Sequence, residues 1–267
     1  IHICQIGNKE QAWVFDPHEH PTIMETILNH PESFDKIVAH NTPFDAIAIG
    51  RQLHRDNSSN LVDFVEKVVA SCIDTQILAH NIDPRPKEEG GSGTSLKPLG
   101  DHYLGTGALD PQKELLEEFR KYGLNKSNGF RDIPLWNEKY TMYAGLDVCI
   151  TGGIEEPLSE KIDELDLRKQ VEADIEVSAI CAGMTARGVR VDMDAAKATL
   201  AALTGEEVVA RQNAEFYGVL NVNSTTQVAD ALMVRGVELT EKTRTGKWKV
   251  SKEVLDSLDD PLAKAVR

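Results

Sequence analysis

Apolar and polar positions alternate at the start of the chain. Ile1-His2-Ile3-Cys4-Gln5-Ile6 runs out, Gly7-Asn8 turns, and Gln11-Ala12-Trp13-Val14-Phe15-Asp16 returns, so residues 1–16 predict a β-hairpin. Residues 17–21 read as a loop, and a short helix follows over 23–28. The apolar run at Ile37-Val38 predicts a buried strand. The chain then turns into a helix reaching about residue 53, with Thr42 as a suitable N-cap and Pro43 at the first helical position. Val68 to Ile73 predicts a second strand, ended by Asp74-Thr75, with a helix over 76–82. Residues 84–100 hold three prolines and four glycines and predict a mobile loop, anchored at its far end by Leu96 and Leu99. Leu115, Leu116 and Phe119 stand at helical spacing within 111–122; residues 123–134 look irregular, and 135–150 form the next helix.

Composition changes near Gly152-Gly153, where an acidic run begins that includes Glu155, Glu156, Glu160 and Asp163. Such a run is ordinarily a solvated helix face or a boundary. A helix over 167–187 follows, with Val171, Ile175, Ile180 and Met184 on one side and Gly188 as its C-cap. Asp192 caps a long helix to about residue 217, and Ser224 caps another over 225–234 that Gly236 stops. Residues 242–249 suggest a basic hairpin-like loop, and Ser251 opens the last helix. Strands placed before and between helices predict an α/β layer fold for the first half; the second half reads as mainly helical. The expected division is 1–160 and 161–267.

A chain of 267 residues has room for one large domain or two modest ones, and 41% hydrophobic residues suit a globular core. The sequence shows no apolar run of membrane-spanning length and no signal-peptide pattern, so the expectation is a soluble, cytoplasmic protein without a membrane partner. Cys4, Cys72, Cys149 and Cys181 are scattered and read as reduced thiols. His18 and His20 form a His-x-His pair in a proline-flanked loop, which reads as solvated. The net charge of −14 argues against a simple nucleic-acid coat. It leaves open an enzyme whose acidic site holds cations against phosphate.

Asp45 supplies one such group. It falls in the first helical turn after the Ile37-Val38 strand, where the helix dipole keeps a carboxylate ionised, and hard divalent cations need such oxygen donors. Thr42 followed by an acid three residues later also resembles a capping box, a purely structural device. Tyr143 and Asp147 are four apart on the 135–150 helix, hence on one face. A phenol there can orient a water while the carboxylate holds a cation, although surface Tyr/Asp pairs are common.

In order, Asn41-x-x-x-Asp45 and Tyr143-x-x-x-Asp147 resemble the second and third motifs of the tyrosine-bearing DEDD 3′–5′ exonucleases. Ile73-Asp74-Thr75-Gln76 and Ser95-Leu96-Lys97-Pro98-Leu99-Gly100-Asp101-His102-Tyr103-Leu104-Gly105 are similar to that family's linking segments. Further on, Met184-x-x-x-Gly188-Val189-x-Val191-Asp192, Asn221-Val222-Asn223-Ser224-Thr225-Thr226-Gln227 and Lys242-Thr243-Arg244-Thr245-Gly246 resemble the opening and thumb of family A DNA polymerases, the bacterial DNA polymerase I type. The resemblance covers nearly the whole chain. It implies an RNase H-like proofreading exonuclease domain, with a mixed sheet and flanking helices, followed by a helical thumb segment.

The same resemblance implies two Mg²⁺ or Mn²⁺ ions at Asp45 and Asp147, with Tyr143 orienting the attacking water. It places Asn41 and Phe44 along a single-stranded 3′ end. Lys242, Arg244, Lys247 and Lys249 would lie against the primer–template duplex. The implied protein is monomeric and acts on DNA in a cell or a phage-infected host. The family's Asp-x-Glu first motif and its palm and fingers motifs are not in this sequence. The chain is therefore expected to be an internal, inactive piece of a larger polymerase. An RNase D-like ribonuclease and an inactive exonuclease-fold scaffold are the alternatives.

Overall fold

Period-two alternation survives as strand pairing at the start of the chain. A computed structural model describes residues 3–30, 33–54, 58–105 and 112–266. Strands β1 (Cys4–Gly7) and β2 (Ala12–Phe15) pair antiparallel, with Cys4 opposite Phe15 and Gly7 opposite Ala12. Asn8 builds the turn: its side-chain oxygen accepts from the Glu10 and Gln11 amides at 2.8 and 2.9 Å. Ile1 and His2 of the expected hairpin lie outside the described residues, as does Pro111 at the head of the expected 111–122 helix.

The other strands are two residues each. β3 (Val38–Ala39) and β4 (Ile73–Asp74) run parallel, with Ala39 opposite Asp74. Among the described residues the sheets are these two pairs, and the rest of the regular structure is helical. The expected mixed sheet is thus a small one in a mostly helical protein.

The expected strand at 68–73 is a correction. Residues 58–71 form helix α3 (Ser58–Ser71), and the strand is confined to Ile73-Asp74. Leu61, Val65, Val68 and Cys72 recur every three or four residues and are buried together with Phe64 and Val69. The helical period of the apolar face prevails over the β-branched composition of its last turn. This face packs on α2 (Thr42–Leu53) and α9 (Arg168–Arg187).

The expected face of α9 is also corrected. Val171 is buried and Ile175 packs beside it, but Ile180 and Met184 are exposed; farther along, the packed side is Ala179, Ala182 and Gly183. A Cβ on Gly183 would stand 2.1 Å from Glu66 Oε1 of α3, so small residues set how closely the two helices approach.

Between these helices the chain forms α1 (Pro21–Asn29), α4 (Thr75–Ile82), α5 (Leu96–Leu104), α6 (Gln112–Lys121) and the single turn α7 (Gly129–Asp132). The 84–100 stretch expected as a loop contains a 3₁₀ turn at Lys87–Glu89 and the start of α5. The longest helix, α8 (Glu138–Glu164), runs straight through the Gly152-Gly153 pair at which composition had suggested a boundary. Its Ile150, Ile154, Leu158 and Ile162 pack with Leu78, Leu99 and Val171 in one buried cluster.

The two glycines serve close approach. A Cβ on Gly152 would lie 2.9 Å from the Lys9 backbone nitrogen, and one on Gly153 would lie 2.9 Å from Leu104 Cδ1. Gly152 therefore lets the β1–β2 turn rest on α8. Gly152→Val is expected to lower stability by about 2–3 kcal/mol, because the colliding atom is backbone and cannot rotate away. Equilibrium denaturation of the variant checks this, and an unchanged midpoint would refute the close-approach role.

The chain divides into two compact units, 1–188 and 189–267. The first reaches past the expected 160/161 division because α9 packs on α3. In the second unit, Asp192 caps α10 (Met193–Phe216) as expected, accepting from the Asp194 and Ala195 amides. Ser224 caps α11 (Thr225–Val234) through Gln227 N. Short helices α12 (Lys252–Asp256) and α13 (Pro261–Ala265) complete a core of Ala214, Val219, Val228, Leu232, Leu255 and Leu262. No described helix is long and apolar enough to cross a membrane.

Candidate functional site

The joint between β3 and α2 is built around one carboxylate that sequence reasoning gave no role. Asp74, at the end of β4, is 3% exposed. Its Oδ1 accepts from Asn41 N at 3.0 Å and Gln76 N at 2.9 Å, and its Oδ2 accepts from Thr42 N at 2.7 Å. One side chain thus caps α4 and also holds the first turn of α2. Thr42 is the first helical residue, and the N-cap position belongs to Asn41, in left-handed conformation at φ 63°. The expected Thr42 cap is corrected accordingly: its hydroxyl is buried and has no hydrogen-bond partner among the described residues. Asparagine suits this position because it tolerates the left-handed region. Beside the joint, the His40 ring nitrogen Nδ1 and the Thr75 hydroxyl share a 2.9 Å hydrogen bond. Burial holds the His40 pKa below its usual value, against the opposing pull of Asp74.

This arrangement presents Phe44 and Asp45 outward. Phe44 is 71% exposed, an unusual state for a phenyl ring in a helix's first turn. Asp45 keeps an exposed residue surface, yet the atoms crowding its carboxyl group push its pKa up to about 6, with the Asp74 carboxylate adding to the push. Solvent at the open side moderates the shift. A carboxylate short of stabilisation and reachable from solvent is suited to a cation. Asp45 also lies near enough to β1 for its charge to act on the buried Cys4 thiol, whose pKa burial raises to about 11.

On α8, Tyr143 and Asp147 lie one turn apart as expected. The Tyr143 ring packs against Phe130, centroids 6.0 Å apart, and Phe130 in turn accepts the Tyr140 hydroxyl on its carbonyl at 3.1 Å. Lys97, from the first turn of α5, joins the pair. Its ammonium forms an ion pair with Asp147 Oδ1 and stands 4.6 Å from the Tyr143 ring centroid. Lys97 had been visible only as part of a motif. Its signal is a cation placed in a helix's first turn, where the dipole opposes it.

The site residues thus fall in two groups of the first unit: Asn41, Phe44, Asp45 and Asp74 at the β3–α2 joint, and Lys97, Tyr143 and Asp147 at α5 and α8. Helix α8 packs against both β1 and β3, the strands flanking Asp45. Among the described residues no three His, Cys, Asp or Glu side chains gather closely enough to hold a metal ion. The donors nonetheless fit a hard divalent cation in kind. They are carboxylate oxygens, and at Asp147 a positive group already stands on the carboxylate. Mg²⁺ ordinarily takes one or two protein carboxylates and completes its shell with water and substrate phosphate.

In the second unit, the basic loop closes as the expected hairpin. Lys242 bridges Trp248, and Thr243 N donates to Lys247 O at 2.8 Å. Lys242 Nζ stacks on the Trp248 ring at 4.5 Å, and Lys249 pairs with Glu241 at 2.7 Å. Arg244 and Lys247 are exposed at the tip.

Residues 1–163 match a 3′–5′ exonuclease family. Over 96% of its length the chain is 27% identical to a DNA polymerase of Mycobacterium phage L5, and over 94% it is 28% identical to that of Mycobacterium phage D29. The aligned part covers 42% and 40% of those two proteins, so the chain spans about two fifths of the length of these curated relatives.

Proposed function

The chain belongs to the 3′–5′ exonuclease family of A-type DNA polymerases, and from that premise we propose that it serves as the proofreading part of a polymerase that hydrolyses phosphodiester bonds at the 3′ end of single-stranded DNA. The observation that carries the reading is the pairing of the Tyr143–Asp147 face of α8 with a cation at Asp147, inside the matched span. In this reading the fold is RNase H-like, with residues 1–160 as the nuclease domain and 161–267 as the start of the thumb.

Asp45 and Asp147 would hold the divalent ions. Bound there, Mg²⁺ or Mn²⁺ would supply positive charge against the phosphate as negative charge develops. The chain's own groups do the rest. Exposed Phe44 offers a face on which the terminal base stacks, and Asn41 flanks it. The Tyr143 hydroxyl orients the attacking water, its ring held by Phe130. Phage relatives support action in the cytoplasm of an infected host. Metal-dependent release of nucleotides from a 3′-labelled single strand by the protein at full natural length tests the proposal. Equal or faster digestion of an RNA strand would favour an RNase D-like enzyme. No digestion with either would favour a scaffold.

The thumb assignment has its own test. Lys242, Arg244 and Lys247 are proposed to contact duplex phosphates, with Lys249 partly engaged by Glu241. Replacing the first three by alanine should weaken duplex binding and flatten its salt dependence, each lost contact lowering the log–log slope by roughly 0.9. A slope equal to the parent's would mean that the loop is merely a solvated turn.

A further inference from the structure

We propose that Lys97 is a resident counter-cation, which a divalent ion must displace from Asp147 before the site is loaded. The inference rests on the nuclease reading above and adds a control on its metal occupancy.

Three observations converge. Lys97 and Asp147 come from different helices, 50 positions apart, and their side chains are only 22% and 23% exposed. The ammonium also lies over the Tyr143 ring, so one positive group touches both residues assigned to the chemistry. Lys97 is moreover the second residue of α5, where the helix dipole disfavours a cation and no side-chain cap is made. Local helix structure therefore gives no reason for a lysine there; the reason lies across the gap, on α8.

The electrostatic consequence is direct. An ammonium and a divalent ion cannot both sit on one carboxylate oxygen without repulsion. While Lys97 occupies Asp147, the carboxylate is held in place on α8 and its charge is neutralised. A divalent ion has to detach the ammonium, and the apparent metal affinity falls by the strength of the pair. The detached lysine would remain next to Tyr143, free to meet a phosphate. Metal loading and release of a phosphate-seeking cation thus become one event. Lys97 is a positioning residue in this scheme, acting through Asp147.

Mn²⁺ binding to the full-length protein, read from the electron paramagnetic resonance signal of the free ion, tests this without any turnover. Lys97→Met and Lys97→Gln should each tighten Mn²⁺ binding up to roughly fivefold, the range for removing a partly exposed ion-pair partner. Lys97→Arg keeps the charge and should bind Mn²⁺ as the parent does or more weakly. Asp147→Asn should weaken binding in every background. Melting curves of the four variants establish that they are folded. If Asp147→Asn weakens binding but the neutral Lys97 variants bind as the parent does or worse, the counter-cation role is overturned while the metal reading stands. If Asp147→Asn leaves Mn²⁺ binding unchanged, the metal reading fails and takes this inference with it.

Discussion

Asp147→Ala is expected to cut 3′–5′ digestion by the full-length protein by roughly a thousandfold or more while leaving the fold in place. Losing one hydrogen-bond donor to a developing charge ordinarily costs about 10²–10³ in rate, and a carboxylate that holds the cations contributes more than a single donor. The fold should tolerate the change. Asp147 lies within α8, where alanine is the better helix former, and the flexible Lys97 side chain, about a fifth exposed, can turn its ammonium to water once the carboxylate is gone. Melting should move by no more than about 1 kcal/mol equivalent. Release of a 3′ label and a thermal melt of the same preparation check both halves. Digestion at the parent rate would reduce Asp147 to a structural ion-pair residue.

The second large effect is on stability. Asp74→Ala removes three charge-assisted hydrogen bonds at once, strands the buried Thr42 amide, and leaves the Asn41 and Gln76 amides only partly reachable by water. Bonds to charged groups are each worth about 1.5–3 kcal/mol, and the stranded donor adds a desolvation cost. Relaxation of the short loop recovers part of this, so a loss of about 3–5 kcal/mol is expected, a large fraction of what holds a domain together. Asp74→Asn keeps an acceptor oxygen and should lose about half as much. Denaturant titration of both variants decides the matter. A loss below about 1 kcal/mol for alanine would show that the β3–α2 joint is held by other contacts.

Local signals were legible in the sequence and tertiary ones were not. Asp192 and Ser224 were readable as caps because a cap is a contact between near neighbours in the chain. The Tyr143–Asp147 face followed from helix geometry alone. The hairpin followed from alternation and the Gly7-Asn8 turn. Where the deciding partner is remote, the reading failed. Val68-Val69 suggested a strand because β-branched composition was weighed ahead of spacing, whereas packing against α2 and α9 makes the segment a helix. Thr42 seemed the cap because nothing nearby reveals that Asp74, 32 residues on, already satisfies its amide. Of the apolar residues placed on one side of α9, Val171 and Ile175 do pack, but towards α3 the contact is made by small residues and Ile180 and Met184 stay exposed. Lys97 was quoted only within a motif, since its partners lie on another helix.

The length of α8 has a consequence for how the site breathes. Tyr143 and Asp147 share one helix with Ile150, Ile154, Leu158 and Ile162, which are buried in one cluster and carry the helix through its interior Pro157. Their amides can exchange with solvent deuterium only when that helix comes apart, which requires opening of the core itself. Asn41, Phe44 and Asp45 stand instead at a joint of two-residue strands, held by the Asp74 carboxylate and by the His40–Thr75 and Thr75–Ala39 hydrogen bonds. Short strands and part-exposed hydrogen bonds make this joint the half expected to exchange more readily. In the proposed nuclease site the half on α8 would therefore exchange more slowly than the half at the β3–α2 joint.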